Sequence, residues 1–78
     1  MFDYTLSKEY DIDAFVKYVK LFDRNLEMEK EPLLRDVDSS LIQIYKNEKE
    51  KVVLKADAVV DATYVTSNID LSNIILKA

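Results

Sequence analysis

KVVLKADAVVDATYV, residues Lys51–Val65, is the stretch on which the fold of this chain turns. Every second residue from Val52 to Tyr64 is apolar: Val52, Leu54, Ala56, Ala58, Val60, Ala62 and Tyr64. A period of two is the pattern of a β-strand with one face turned to a core. A helical reading competes from Asp57 onward. Asp57 is a good helix N-cap, Ala58 and Ala62 are strong helix formers, and Val53, Ala56, Val60 and Tyr64 lie near one helical face. The density of Val52, Val53, Val59, Val60, Thr63, Val65 and Thr66 favours the strand, because β-branched side chains pack well on a pleated surface. The stretch therefore reads as one continuous strand. At about 14 residues it is longer than most strands, so a bend or bulge is expected near Ala56–Ala58, where side chains are small. The opposite row carries Lys51, Lys55, Asp57, Asp61 and Thr63, but also Val53, Val59 and Val65.

Upstream, LIQIYK (Leu41–Lys46) is rich in β-branched and aromatic residues, and NEKE (Asn47–Glu50) is a polar turn in which Asn47 tolerates left-handed geometry. LIQIYK, turn and KVVLKA form the clearest hairpin in the chain. Further back, Pro32–Ser40 reads as a connection or short helical turn. Leu26–Glu31 reads as either the frayed end of a helix or a short edge strand. Asp11 to Met28 is the one amphipathic helix, with Ile12, Phe15, Val16, Val19, Phe22 and Leu26 on one stripe. Asp11 or Asp13 suits its first turn, Asp13 and Lys17 form a favourable i,i+4 pair, and Pro32 forbids continuation. Phe2, Tyr4 and Leu6 alternate with Asp3, Thr5 and Ser7 as a short first strand. Downstream, Ser67–Asn68 is a turn and Ile69–Lys77 reads as a last strand, with Asn73 interrupting it.

These elements predict one domain over residues 1–78. The fold class is α+β: an antiparallel sheet of about four strands, order β-α-β-β-β, with one helix packed on one face. The expected core is Phe2, Tyr4, Leu6, Ile12, Phe15, Val16, Val19, Phe22, Leu26, Ile42, Ile44, Val52, Leu54, Val60, Ile74 and Leu76.

Composition narrows the function. At 49% hydrophobic and 33% charged, the chain has the balance of a folded protein. It contains no Gly, no Cys and no His. Glycine-rich phosphate loops, the nucleophile elbow, the usual zinc sites, cysteine nucleophiles and histidine triads all lack a required residue. Asp11/Asp13 and Asp36/Asp38 are spaced to bind a hard cation on a strand, but capping and turn chemistry explains both pairs. Neither an enzyme nor a metal or cofactor site is expected. Lys46, Lys49, Lys51 and Lys55 cluster with Tyr45, but Glu48 and Glu50 alternate with them, so direct nucleic-acid binding is not expected either. Met1–Asp11 shows no signal-peptide pattern and no apolar run is long enough to span a bilayer. With no cysteine, the expectation is a cytoplasmic protein without membrane contact.

Net charge is −4, with ten acidic and six basic residues in Met1–Asp38 and five of each in Ser39–Ala78. Three partner classes remain. A non-enzymatic protein-interaction module is favoured, an inhibitor or adaptor of the kind encoded by phages and mobile elements, by analogy of size and acidity. Its candidate contact residues are Tyr18, Tyr45, Val53, Val59 and Val65. The second class is a structural subunit that self-associates, as a homodimer through a strand edge. The third is an acidic nucleic-acid mimic using Asp11, Asp13, Asp23, Glu27, Glu29, Glu31, Asp36 and Asp38.

Overall fold

The computed structural model describes residues 1–77. Its elements are β1 (Phe2–Ser7), α1 (Ile12–Asn25), β2 (Glu29–Lys30), β3 (Leu34–Arg35), β4 (Leu41–Lys46), β5 (Lys51–Asp57), β6 (Ala62–Ser67) and α2 (Ser72–Ile75). The class is α+β: an antiparallel sheet in the order β1-β6-β5-β4-β2, with β3 also paired to β4, and α1 packed across one face. Among the described residues the sheet has six strands, two more than the sequence predicts: Glu29–Lys30 and Leu34–Arg35 each pair for two residues along β4, and the division of the expected long strand offsets the loss of the expected last one.

The helix starts where Asp11 adopts extended geometry and its carboxylate accepts from the Ala14 amide at 2.9 Å. Asp13 in the first turn and Arg24 in the last match the helix dipole. The helix ends at Asn25, three residues short of the expected Met28, because Leu26 turns extended and leads into β2. Leu26–Glu31 thus supplies an edge strand rather than a frayed helix end.

The expected β4–β5 hairpin forms, pairing from Leu41 opposite Ala56 to Lys46 opposite Lys51. The Asn47 side chain accepts from the Lys49 and Glu50 amides and closes its turn.

Lys51–Val65 is not one strand. It is two, β5 and β6, joined by Ala58–Asp61. Asp57 makes the reversal: its Oδ1 accepts from the Val59 and Val60 amides at 2.9 and 3.2 Å. Asp61 then takes a left-handed φ of 53°, which Asp tolerates better than most residues. Local polar capping outweighs β-propensity at Val59 and Val60, which sit exposed in the turn. The final expected strand, Ile69–Lys77, is instead a turn followed by α2. Asp70 accepts from the Ser72 amide and hydroxyl, and Leu71 is fully buried.

The turn at Ala58–Asp61 also flips the face parity. Ala56 lies opposite Thr63 and Leu54 opposite Val65, so Val52, Leu54, Ala56, Thr63, Val65 and Ser67 all face the helices. On β4 the inward row is Leu41, Gln43 and Tyr45. The apolar core is Phe15, Phe22, Leu41, Tyr45, Val52, Leu54, Ala56, Val65 and Leu71. Tyr45 meets Phe22 edge-to-face at 6.0 Å, and its hydroxyl donates to Asp23 at 2.8 Å. Several expected core residues lie elsewhere. Ile42 and Ile44 are on the other sheet face, Val60 is in the turn, and Phe2, Ile12, Val16 and Leu76 are exposed. The thin helical layer covers only one side of the sheet, so every outward residue of β4 and β5 is left out of the core.

Candidate functional site

The outward face of the sheet is built from residues directly opposite one another on neighbouring strands. One row runs Leu34, Ile42, Lys55, Tyr64, Thr5, and the next runs Ile44, Val53, Thr66, Asp3. Ile42, Ile44, Val53 and Tyr64 are each partly exposed, and none packs against the core cluster. Leu34 adds an exposed edge, at 49% accessibility. Both helices lie on the opposite side, so among the described residues no element covers this face. Apolar residues grouped on the solvent side of a sheet are a feature that contact surfaces share.

Charges interleave with the apolar residues, Lys55 lying between Ile42 and Tyr64. Lys46 pairs with Glu31 at 2.8 Å and Lys55 with Asp57 at 3.2 Å. The Glu31 hydrogen bond holds the Lys46 ammonium pKa above its usual value, and the Asp57 bond does the same for Lys55. Burial works to raise the Asp57 pKa. The Val60 amide, Lys55, the Val59 amide and the Tyr64 hydroxyl together outweigh it and hold the carboxyl below the usual range. Asp57 therefore has two duties. It turns the chain between β5 and β6, and it orients Lys55 and Tyr64 on the open face. Lys51 shares this face and makes no ion pair among the described residues.

Of the five contact residues expected from sequence, only Val53 lies on the open face. Val59 stands exposed at the β5–β6 turn. Val65 and Tyr45 are buried beneath the helices, at 0% and 2% accessibility, and have no surface to offer a partner. Tyr18 is partly buried on α1, packed against the core, with its ring 6.2 Å from Phe22 and the Lys17 ammonium over its face. The structure does not bring these five together. Leu34, Ile42, Ile44 and Tyr64 do converge, and the sequence carried a signal for Ile42 and Ile44. LIQIYK carries apolar side chains at both parities, so a two-layer fold must leave one set outside.

The acidic set is dispersed, and five of its eight members have internal partners. Asp11 caps α1, Asp23 binds Tyr45 and Lys30, Glu31 binds Lys46, Asp36 accepts from the Val37 amide, and Asp38 accepts from the Ser40 amide. Asp13, Glu27 and Glu29 make no side-chain hydrogen bond or ion pair among the described residues.

A second concavity lies between α1 and the β2–β3 connection. It is a groove of about 410 Å³ lined by Phe15, Val16, Val19 and Leu33, with Gln43 below and Lys20, Asp23 and Lys30 at the rim. Among the described residues, no helix is long and apolar enough to cross a membrane, and no three acidic side chains gather as a metal-ion site. Comparison with protein-family models, with curated proteins and with solved structures finds no match.

Proposed function

We propose that this chain is a non-enzymatic protein-binding module that docks a larger protein, as an inhibitor or adaptor, through the open face of its sheet. One observation carries the reading. Ile42, Ile44 and Val53 neighbour one another on the open face, with Tyr64 across Lys55 from Ile42, and none of the four belongs to the core. Exposing such a surface carries a risk of aggregation, and a stable reason to keep it is a partner that covers it. The partner's chemistry follows from this arrangement. It presents an apolar patch to the centre and carboxylates toward Lys51 at the rim. Lack of cysteine is compatible with the cytoplasm.

The test compares capture by the wild-type chain with capture by an Ile44→Glu/Val53→Glu variant. Both positions are on the open face and directly opposite each other, so circular dichroism first establishes that the variant is folded. The reading predicts that one stoichiometric protein is retained by wild type at low and high salt and lost with the variant. Equal recovery on both baits means the open face is not the docking surface.

A further inference from the structure

The two edges of the sheet are treated differently. The β4 edge is covered by β2 and β3, two dipeptide strands interrupted by Pro32 and carrying Lys30 and Arg35. Short strands, proline and basic side chains are the devices that stop an edge from recruiting another strand. The β1 edge has almost none of them. Phe2–Ser7 pairs with β6 on one side only, and it contains no Lys, Arg or Pro. Its single irregularity lies between Thr5 and Ser7. Phe2 is 41% exposed at its start. The strand is also held rigidly. The Tyr4 hydroxyl donates to Asp70 at 3.0 Å and accepts from the Leu71 amide at 2.9 Å, tying β1 to the segment before α2.

From this asymmetry we infer that β1 pairs with β1 of a second copy, antiparallel about a two-fold axis at Tyr4, so that two sheets join into one. The sequence of β1 is self-complementary in that register. On the helix side, Phe2 lies opposite Leu6 of the second copy, and Tyr4 opposite its own equivalent. On the open side, Asp3 lies opposite Thr5 of the second copy, a hydroxyl able to donate to the carboxylate. No like charges oppose each other, and of the paired residues Leu6 alone falls within the irregularity between Thr5 and Ser7. Cross-strand neighbours share a face, so the open faces of the two copies become one continuous surface. An interface built on one strand edge falls in the small class, below about 1,200 Å² in total, so the dimer forms in a concentration-dependent way. The inference concerns a different surface from the proposed partner site and stands or falls separately from it.

The test is sedimentation velocity of the full chain from micromolar to millimolar concentration, with three charge variants at exposed positions. Thr5→Glu places a second acid opposite Asp3 twice per dimer and raises the dimer dissociation constant about tenfold. Thr5→Lys places an ammonium there and lowers it by a similar factor. Asp3→Lys combined with Thr5→Glu again sets unlike charges opposite each other and lowers it to the level of Thr5→Lys. Circular dichroism confirms that each variant is folded. A chain that stays monomeric throughout overturns the inference and leaves the β1 edge to a strand of another protein. A dimer indifferent to all three variants overturns the register and the edge together.

Discussion

Residues 44 and 45 are neighbours in sequence, and the structure puts them on opposite faces of β4. Replacing each by alanine is the most informative pair of stability measurements. Tyr45 is 2% exposed, stacks edge-to-face on Phe22 and donates to Asp23 and, at 3.3 Å, to the Val19 carbonyl. Truncating a buried aromatic to alanine costs about 3–5 kcal/mol. The lost edge-to-face pair adds about 1 kcal/mol. Asp23 keeps Lys30 and solvent, so no orphaned carboxylate is created. The expected cost is about 5 kcal/mol, comparable with the whole stability of a marginal domain of this size. Tyr45→Phe keeps the ring and loses the hydroxyl, at about 1 kcal/mol. Ile44→Ala removes apolar area that is already partly wet and leaves no enclosed cavity, so it costs about 1 kcal/mol. Urea unfolding followed by far-UV circular dichroism reads all three, with linear extrapolation to water. The reasoning is refuted if Ile44→Ala proves as costly as Tyr45→Ala.

Other outcomes follow from single residues. The hydroxyl of fully buried Thr63 accepts from the Asp11 amide and donates to the Glu9 carbonyl, both at 2.9 Å. Thr63→Val keeps the shape and strands that amide, at about 1–3 kcal/mol; an unfolding midpoint equal to wild type excludes this role. Leu71 is fully buried and Leu76 is 81% exposed. Leu71→Ala is therefore expected to cost about 2–5 kcal/mol and Leu76→Ala less than about 0.5 kcal/mol, with thermal melts to compare them. Three carboxyls have depressed pKa values in the fold: Asp38 through the Ser40 amide and hydroxyl, Asp70 through the Ser72 hydroxyl and amide and Tyr4, and Asp57 through the bonds that outweigh its burial. A depressed folded-state pKa stabilises above the ordinary value near 4, and that contribution disappears as pH falls through and below it. Unfolding free energy should thus drop between about pH 5 and pH 3. Asp57→Asn should flatten part of the drop, and an unchanged pH profile in that variant contradicts the assignment.

Much of the architecture is legible in the sequence, and the exceptions share one cause. The α1 stripe, the β4–β5 hairpin and the α+β class come from hydrophobic period, turn chemistry and the proline stop, each of which acts locally. What period alone could not find was the reversal at Ala58–Asp61. A strand pattern continues through it, since Ala58, Val60, Ala62 and Tyr64 keep the parity of Val52. The deciding signal was Asp57, whose carboxylate caps a turn rather than a helix. Missing that turn shifts β6 by one residue of parity, and a one-residue shift exchanges every face. Val65 then moves from the expected surface into the core, and Tyr64 moves from the apolar row it shared with Val52 and Leu54 to the open face. On β4 the same ambiguity arises without any turn, because Leu41, Ile42, Ile44 and Tyr45 fill both parities. Which set goes inward is decided by the helix: Phe22 needs the Tyr45 ring, and Asp23 takes its hydroxyl. The last segment reads as a strand because Ile69, Leu71, Ile74, Ile75 and Leu76 are apolar and three of them, Ile69, Ile74 and Ile75, are β-branched. The Asp70–Ser72 cap then starts a single helical turn in its place.

The account rests on Ile42, Ile44 and Val53 facing solvent while Val52, Leu54 and Val65 face the helices. Methyl-labelled NMR with a soluble paramagnetic agent measures this directly. The account predicts strong broadening of the Ile42, Ile44 and Val53 methyl signals and protection of those of Val52, Leu54 and Val65. Protection of Ile42 and Ile44 in the isolated chain at a concentration where it is monomeric, with broadening of Val65, would contradict it.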